Sequence, residues 1–175
     1  MIELSQTPNN SSLYDLISET NTKDLETKLN NNKLTLKNWG NKNNTIFKIL
    51  KYDKAFLSKD NEDTGKFRSV IFNTDNKLVC YAPPKSISLE KFIEENKETE
   101  NVYYEEFVEG TMINMFYDNN SNTWEMATRT SVGGNVYFFN DESNKKTFYD
   151  MFKEVCDHIS FTDYSNMNKD RKSVV

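Results

Sequence analysis

The feature that most constrains this chain is a β-rich run at residues 102–117, followed by a polar turn and a second β-rich run at residues 123–131. Tyr103, Tyr104, Ile113, Phe116 and Tyr117 favour a pleated surface, while Asp118, Asn119, Asn120, Ser121 and Asn122 supply turn chemistry between the two runs. Trp124-Glu125-Met126-Ala127-Thr128-Arg129 forms the returning segment. The pattern predicts a long antiparallel hairpin with Glu109-Gly110 near the middle of its first strand. A glycine inside a strand marks a bulge or a close approach of ligand to backbone.

The remaining elements are shorter. Leu13, Leu16, Ile17, Leu25 and Leu29 recur at helical spacing over residues 12–30, as one helix or as two broken near Asn21. Residues 30–44 read as a loop containing a short extended piece at 33–39. Residues 45–51 alternate as a strand running into Tyr52-Asp53-Lys54, and residues 67–72 and 77–81 form a hairpin around Asn73-Thr74-Asp75-Asn76. Pro83 and Pro84 lack the amide that a ladder needs, so the chain leaves the sheet there. Ser86 or Ser88 then caps a helix to about Asn96, with Leu89, Phe92 and Ile93 facing inward. Val132-Gly133-Gly134-Asn135 makes a further turn, and residues 143–158 make an amphipathic helix with Phe148, Met151, Phe152 and Val155 on its inner face. The fold class predicted is α+β, an antiparallel sheet of hairpins with flanking helices. A helical segment at 1–45 precedes a body at 46–160, and a loosely held polar tail occupies 161–175.

At 175 residues one domain is expected. A net charge of −5 and a pI near 5.1 disfavour nonspecific attraction to a phosphate backbone but leave room for a local basic groove. No apolar stretch is long enough to span a bilayer, and residues 1–10 lack the pattern of a secretory signal. The expectation is therefore a cytoplasmic protein without a membrane partner. Cys80 and Cys156 read as free buried thiols. Cys156 and His158 offer too few ligands for zinc in a chain with one histidine, so no structural metal is expected, and His158 reads as a helix C-terminal residue.

Glu105-Glu106-Phe107-Val108-Glu109-Gly110-Thr111 has the outline of the nucleotidyltransferase pattern Lys-x-Asp/Glu-Gly, in which a lysine amine attacks the α-phosphate of a nucleoside triphosphate. Phe107 stands in the lysine position, and a phenyl ring has no lone pair with which to attack phosphorus. Lys51-Tyr52-Asp53 places another lysine two residues before a carboxylate, as a weak substitute nucleophile without the glycine. Glu105 and Glu109 would share one face of a strand while Glu106 points away, and solvation accounts for all three.

In order and spacing, residues 52–152 resemble the first half of the nucleotidyltransferase domain of ATP-dependent RNA ligases, the phage-type tRNA-repair branch in particular. Gly65-Lys66-Phe67-Arg68-Ser69-Val70-Ile71-Phe72 resembles the Arg-bearing strand upstream of the active lysine. Pro84-Lys85-Ser86 through Glu90-Lys91-Phe92 resembles the Lys-Phe segment, Phe107-Val108-Glu109-Gly110-Thr111 takes the place of the lysine motif, and Thr128-Arg129 resembles the next motif. Similar ligase-like sequences belong to large DNA viruses, which would make the compartment a host cytoplasm. The resemblance implies that Arg68, Lys85, Lys91 and Arg129 point toward phosphates of a nucleotide or RNA end. It implies that Glu109 faces the ribose beside Gly110 and Thr111, and that ATP and Mg2+ are the cofactors. It also implies that the metal-holding carboxylates and the closing lysine pair lie in later strands that this sequence does not include. A truncated product, a subunit completed by a second chain and a shortened binding relic all fit that pattern. Inactivity of the chain alone is the expectation.

A different class of reading keeps only the fold, as a noncatalytic protein-interaction or virion structural module. Tyr103, Tyr104, Phe116, Tyr117, Trp124, Tyr137 and Phe138 serve either reading, since alternate members form core and outward ones stack on bases or bury against a partner. Gathered cations favour the nucleotide, and dispersed cations beside an exposed apolar patch favour a protein partner.

Overall fold

Alternation in one strand decides the layering of this protein. The structure, a computed structural model, describes residues 22–40, 45–56, 62–97, 106, 109–137, 145–158 and 173–174. Strand β2 (Ile46–Tyr52) is buried on both faces, as a central strand must be. Phe47 and Ile49 point to one side, and Leu50 and Tyr52 to the other.

The β2 strand pairs antiparallel with β1 (Leu34–Gly40) on one side and β3 (Val70–Phe72) on the other, and β4 (Leu78–Tyr81) completes a four-stranded antiparallel meander in the order β1-β2-β3-β4. A second sheet has the order β6-β5-β7, built on the hairpin of β5 (Asn114–Asp118) and β6 (Thr123–Ala127), with β7 (Ser173–Val174) pairing on the far side of β5. The α+β class and the antiparallel hairpins are as expected.

Two cores follow from the two faces of β2. Helix α1 (Thr22–Asn31) lays Leu25 and Leu29 on the face formed by Leu34, Leu50, Tyr52, Val70 and Phe72. The opposite face joins Phe47, Ile49, Ile71 and Cys80 to Phe116 and Ala127 of the second sheet and to Val132, which bridges back to Ala127. Phe47 and Phe116 meet edge to face across that interface, with ring centroids 5.6 Å apart.

Both hairpin turns sit at one end of the paired sheets. Asn73 closes the first by accepting from the amides of Asp75 and Lys77 on Oδ1, and Asn76 takes the left-handed φ of 58° that asparagine tolerates. Asp118 closes the second, accepting from the Ser121 amide and hydroxyl, with Asn122 at φ 53°. Asn120 Nδ2 donates 2.9 Å to Asp75 Oδ2 and so ties one turn to the other.

Several expectations are corrected. The first strand of the long hairpin begins at Asn114, so Glu109 and Gly110 precede it instead of lying within it. The extended piece after α1 is a full seven-residue strand, held by its pairing with β2 although its own sequence is weakly apolar. The predicted strand at 67–72 is shortened to β3, because residues 62–65 form the one-turn helix α2 (Glu62–Gly65) and Phe67 bonds back to Thr64. Helix α3 (Leu89–Glu95) has the predicted cap, with Ser88 Oγ accepting from the Lys91 amide, but none of its residues is buried. Leu89 is 61% exposed and Ile93 52%, so the inner face predicted for Leu89, Phe92 and Ile93 is a surface. Helix α4 (Phe148–His158) starts at a cap in which the Thr147 hydroxyl accepts from the Asp150 amide and donates to its carboxylate. Phe148, Met151 and Phe152 are half-buried as expected, whereas Val155 is exposed and Cys156 is buried in its place. Both cysteines are free and buried. The expectations for residues 1–21, Tyr103, Tyr104, Glu105, Phe107, Phe138 and most of the tail lie outside the described residues.

Candidate functional site

The end of the sheets opposite the two turns collects three of the four cations predicted to contact phosphate, Arg68, Lys85 and Arg129. The register fixes this from the backbone alone: β2 ends at Tyr52, β3 and β5 begin there, and β4 and β6 return to it. Lys51 is the next-to-last residue of β2, Arg68 precedes β3, Lys85 follows β4, Thr111 precedes β5 and Arg129 follows β6. Backbone bonds tie the loops together at that end, from the Tyr52 amide to the Phe67 carbonyl (2.7 Å) and from the Lys85 amide to the Gly65 carbonyl (3.0 Å).

Arg129 is the best-held of these cations. Thr128, Arg129, Thr130 and Ser131 form a turn locked three ways: the Thr128 amide donates 2.9 Å to the Ser131 carbonyl, the Thr130 amide to Thr128 Oγ1, and the Thr128 and Ser131 hydroxyls meet at 2.8 Å. Thr128 and Ser131 are both buried, so a rigid turn presents the arginine. Its Nη2 donates 2.8 Å to the Tyr52 carbonyl, and its guanidinium carbon sits 4.5 Å from the Tyr52 ring centroid. Its Nε is buried without an acceptor, and among the described residues no carboxylate pairs with it. A guanidinium that presents five donors in a fixed fork is thus fixed in place with donor capacity unused.

Lys51 lies beside it. Across the β1–β2 ladder Thr35 stands opposite Lys51 and Lys37 opposite Ile49, so Thr35, Lys37 and Lys51 share the face turned toward the second sheet. The Thr35 hydroxyl donates to the Lys51 carbonyl. Burial is the main cause that pulls the Lys51 ammonium below its ordinary pKa; the Arg129 charge follows, Lys37 and Lys54 add to it, and Asp53 alone pulls the other way. Asp53 also caps the turn after β2 by accepting from the Ala55 amide, 2.9 Å. The cluster is therefore a net positive one at the mouth of the inter-sheet core, with the chemistry of an anion site.

Of the residues predicted to contact phosphate, Arg68, Lys85 and Arg129 come to this end, as does Lys51, the predicted substitute nucleophile; the cations acting on Lys51 are Arg129, Lys37 and Lys54. Lys91 does not join them; it lies on α3 and pairs with Glu95 at 3.8 Å. Glu109, Gly110 and Thr111 are exposed before β5, and a Cβ built on Gly110 meets nothing within 4 Å, so no close backbone approach explains that glycine among the described residues. Phe107 lies outside the described residues. Sequence reasoning missed the role of Tyr52 as platform and acceptor, the Thr128–Ser131 lock, and Lys37. Lys37 and Lys51 share a face only through the β1–β2 register, which pairs Lys37 with Ile49 and Thr35 with Lys51.

Among the described residues no group of three His, Cys, Asp or Glu side chains could hold a metal ion, and no helix is long and apolar enough to cross a membrane. No protein-family model, curated protein or solved structure matches the chain, so what this sheet end binds is argued from its own chemistry.

Proposed function

We propose that the protein binds the phosphate of a nucleotide or an RNA end at the Lys51–Arg129 end of its sheets, as a catalytically degenerate RNA ligase-like nucleotidyltransferase domain. The observation that carries this reading is the Arg129 guanidinium, held by Tyr52 and by a locked turn, with its Nε buried and unpartnered beside a second cation. A protein orders two like charges side by side at a cost, and a bound anion removes it. Arg68 and Lys85 at the same end add positive charge to it. Phe107 at the motif position gives no nucleophile, so binding without adenylation is the expected activity of this chain.

ATP and Mg2+ would be the cofactors of an active relative. The described residues supply cations for the triphosphate, and the chemistry proposed for this chain is anion binding. Carboxylates from a second chain would complete a metal site in an assembly.

Titration of the full chain with ATP and with a 5′-phosphorylated RNA oligonucleotide tests the reading. Binding that weakens with salt and is lost in Arg129→Gln is expected, together with an unchanged intact mass after incubation with ATP and Mg2+. Absence of binding to both ligands overturns it. An adduct on any lysine overturns the degenerate assignment.

One observation favours the second reading, a protein-interaction module. Ile87, Leu89, Phe92 and Ile93 expose an apolar patch on and before α3, from 36% exposure at Phe92 to 61% at Leu89. Failure of nucleotide binding combined with loss of self-association or partner binding in Leu89→Ser/Ile93→Ser would favour it.

A further inference from the structure

We propose that Lys51 is a covalent docking site for aldehydes that carry a phosphate group, with Arg129 anchoring the anion while the lysine amine condenses with the carbonyl as a reversible Schiff base. The inference rests on the reading of this sheet end as a phosphate site and names a further ligand class for it.

The geometry supplies both halves of such a site. Arg129 is immobilised at its own Nη2 by the Tyr52 carbonyl, 2.8 Å away, and over the Tyr52 ring, so an anion bound there is fixed relative to the end of β2. Lys51 is the residue immediately before Tyr52, on the strand whose carbonyl its neighbour Thr35 grips. It is half-buried, so its amine is reachable but partly desolvated. Arg129, Lys37 and Lys54 surround it with positive charge that only Asp53 opposes. Burial beside other cations raises the neutral fraction of an amine at a given pH, which is the condition under which lysine attacks carbonyl carbon. Three other lysines have a different setting: Lys91 and Lys146 are paired with Glu95 and Glu154, and Lys48 donates to Asn76 Oδ1.

The step balances without a co-reactant. The Lys51 ammonium gives one proton to solvent, and the neutral Nζ adds to the aldehyde carbon, forming a C–N bond while the carbonyl oxygen takes a proton. The carbinolamine then loses its hydroxyl as water with the second nitrogen proton, leaving an imine. Nothing is oxidised or reduced, and water reverses the reaction. The proximity of the phosphate anchor makes the attack effectively intramolecular, so the phosphorylated aldehyde reacts ahead of its unphosphorylated counterpart.

Pyridoxal 5′-phosphate is the probe, added to the intact chain and fixed by borohydride, with peptide mass mapping of the adduct. Lys51 is expected to label first among the lysines, about tenfold faster than with 5′-deoxypyridoxal, which has the same free aldehyde without the phosphate, and to be protected by ATP or inorganic phosphate. Lys51→Arg abolishes that adduct with the fold intact by circular dichroism, and Arg129→Gln reduces the rate to that seen with 5′-deoxypyridoxal. Equal labelling across exposed lysines, or equal rates with 5′-deoxypyridoxal and pyridoxal 5′-phosphate, overturns the proposal. Absence of a Lys51 adduct in a protein that still binds ATP overturns it while leaving the phosphate site standing. Absence of both adduct and ATP binding overturns the site and the proposal together.

Discussion

The guanidinium of Arg129 and the backbone carbonyl of Tyr52 are joined by a 2.8 Å hydrogen bond, with the arginine lying 4.5 Å from the centroid of the tyrosine ring. Tyr52 ends β2 of the first sheet and Arg129 lies in the turn after β6 of the second, 77 positions apart in sequence. Their contact closes the end of the inter-sheet core and fixes the cation on which the proposed anion site depends.

Tyr52→Leu keeps the carbonyl acceptor and removes the ring. A loss of about 1–3 kcal/mol is expected, because the ring is buried beside Leu29, Leu34 and Leu50 as well as under the arginine, seen as a clear fall in melting temperature with anion binding weakened but retained. Unchanged anion affinity would show that the ring has no part in holding Arg129.

Lys51 titrates below its ordinary value of 10.5, chiefly through burial and then through Arg129. Because the folded pKa is the lower one, the unfolded chain binds the proton more tightly between the two values. This group's contribution to stability is therefore complete above 10.5 and is lost as pH falls through the folded pKa. Arg129→Gln moves the folded pKa back upward and narrows that window. Lysine side-chain NMR titration of both proteins checks this, and a Lys51 that titrates at or above 10.5 in the parent would refute it.

Gly134 holds φ at +62°, and a Cβ there would stand 2.8 Å from Met126 Cε and 3.0 Å from the Tyr149 amide nitrogen. Gly134→Ala is expected to cost about 1–2 kcal/mol from the backbone conformation alone, with the crowding in addition. Gly40→Ala, where nothing lies within 4 Å, is the control and leaves denaturant midpoints essentially unchanged.

Phe116 is fully buried between the sheets against Phe47. Phe116→Ala is expected to cost about 3–5 kcal/mol, a large fraction of the stability of a domain this size, and Phe116→Leu much less. Urea denaturation measures both, and equal midpoints would mean that the two sheets do not share a core.

Ser88→Ala removes the acceptor for the Lys91 amide at the start of α3. A loss of about 1 kcal/mol of local helix stability is expected as faster amide exchange at Lys91 and Phe92, with no change in global melting because α3 buries no residue.

Much of the local structure was legible because it is written in short-range chemistry. Asn73 and Asp118 name their turns, Ser88 names its cap, and the alternation of residues 46–52 names the central strand. The errors share a cause. Leu89, Phe92 and Ile93 have the spacing of an inner helix face, yet amphipathicity says only that a face is apolar and not what covers it. Glu109 and Gly110 were placed in a strand because β propensity continues through residue 117, while pairing begins only where β6 supplies partners, at Asn114 opposite Ala127.

The sequence by itself determined the α+β class, the antiparallel hairpins, the free thiols and the identity of several cations, since propensity, turn residues and composition act over a few neighbouring positions. Only the tertiary structure decided which cations meet. Lys51 and Arg129 come together because β2 and β6 end on the same side of two packed sheets, whereas Lys91, equally plausible in sequence, is carried away on α3. Charge interactions fall off within angstroms, and the register and packing that set those distances arise from contacts between residues far apart in the chain.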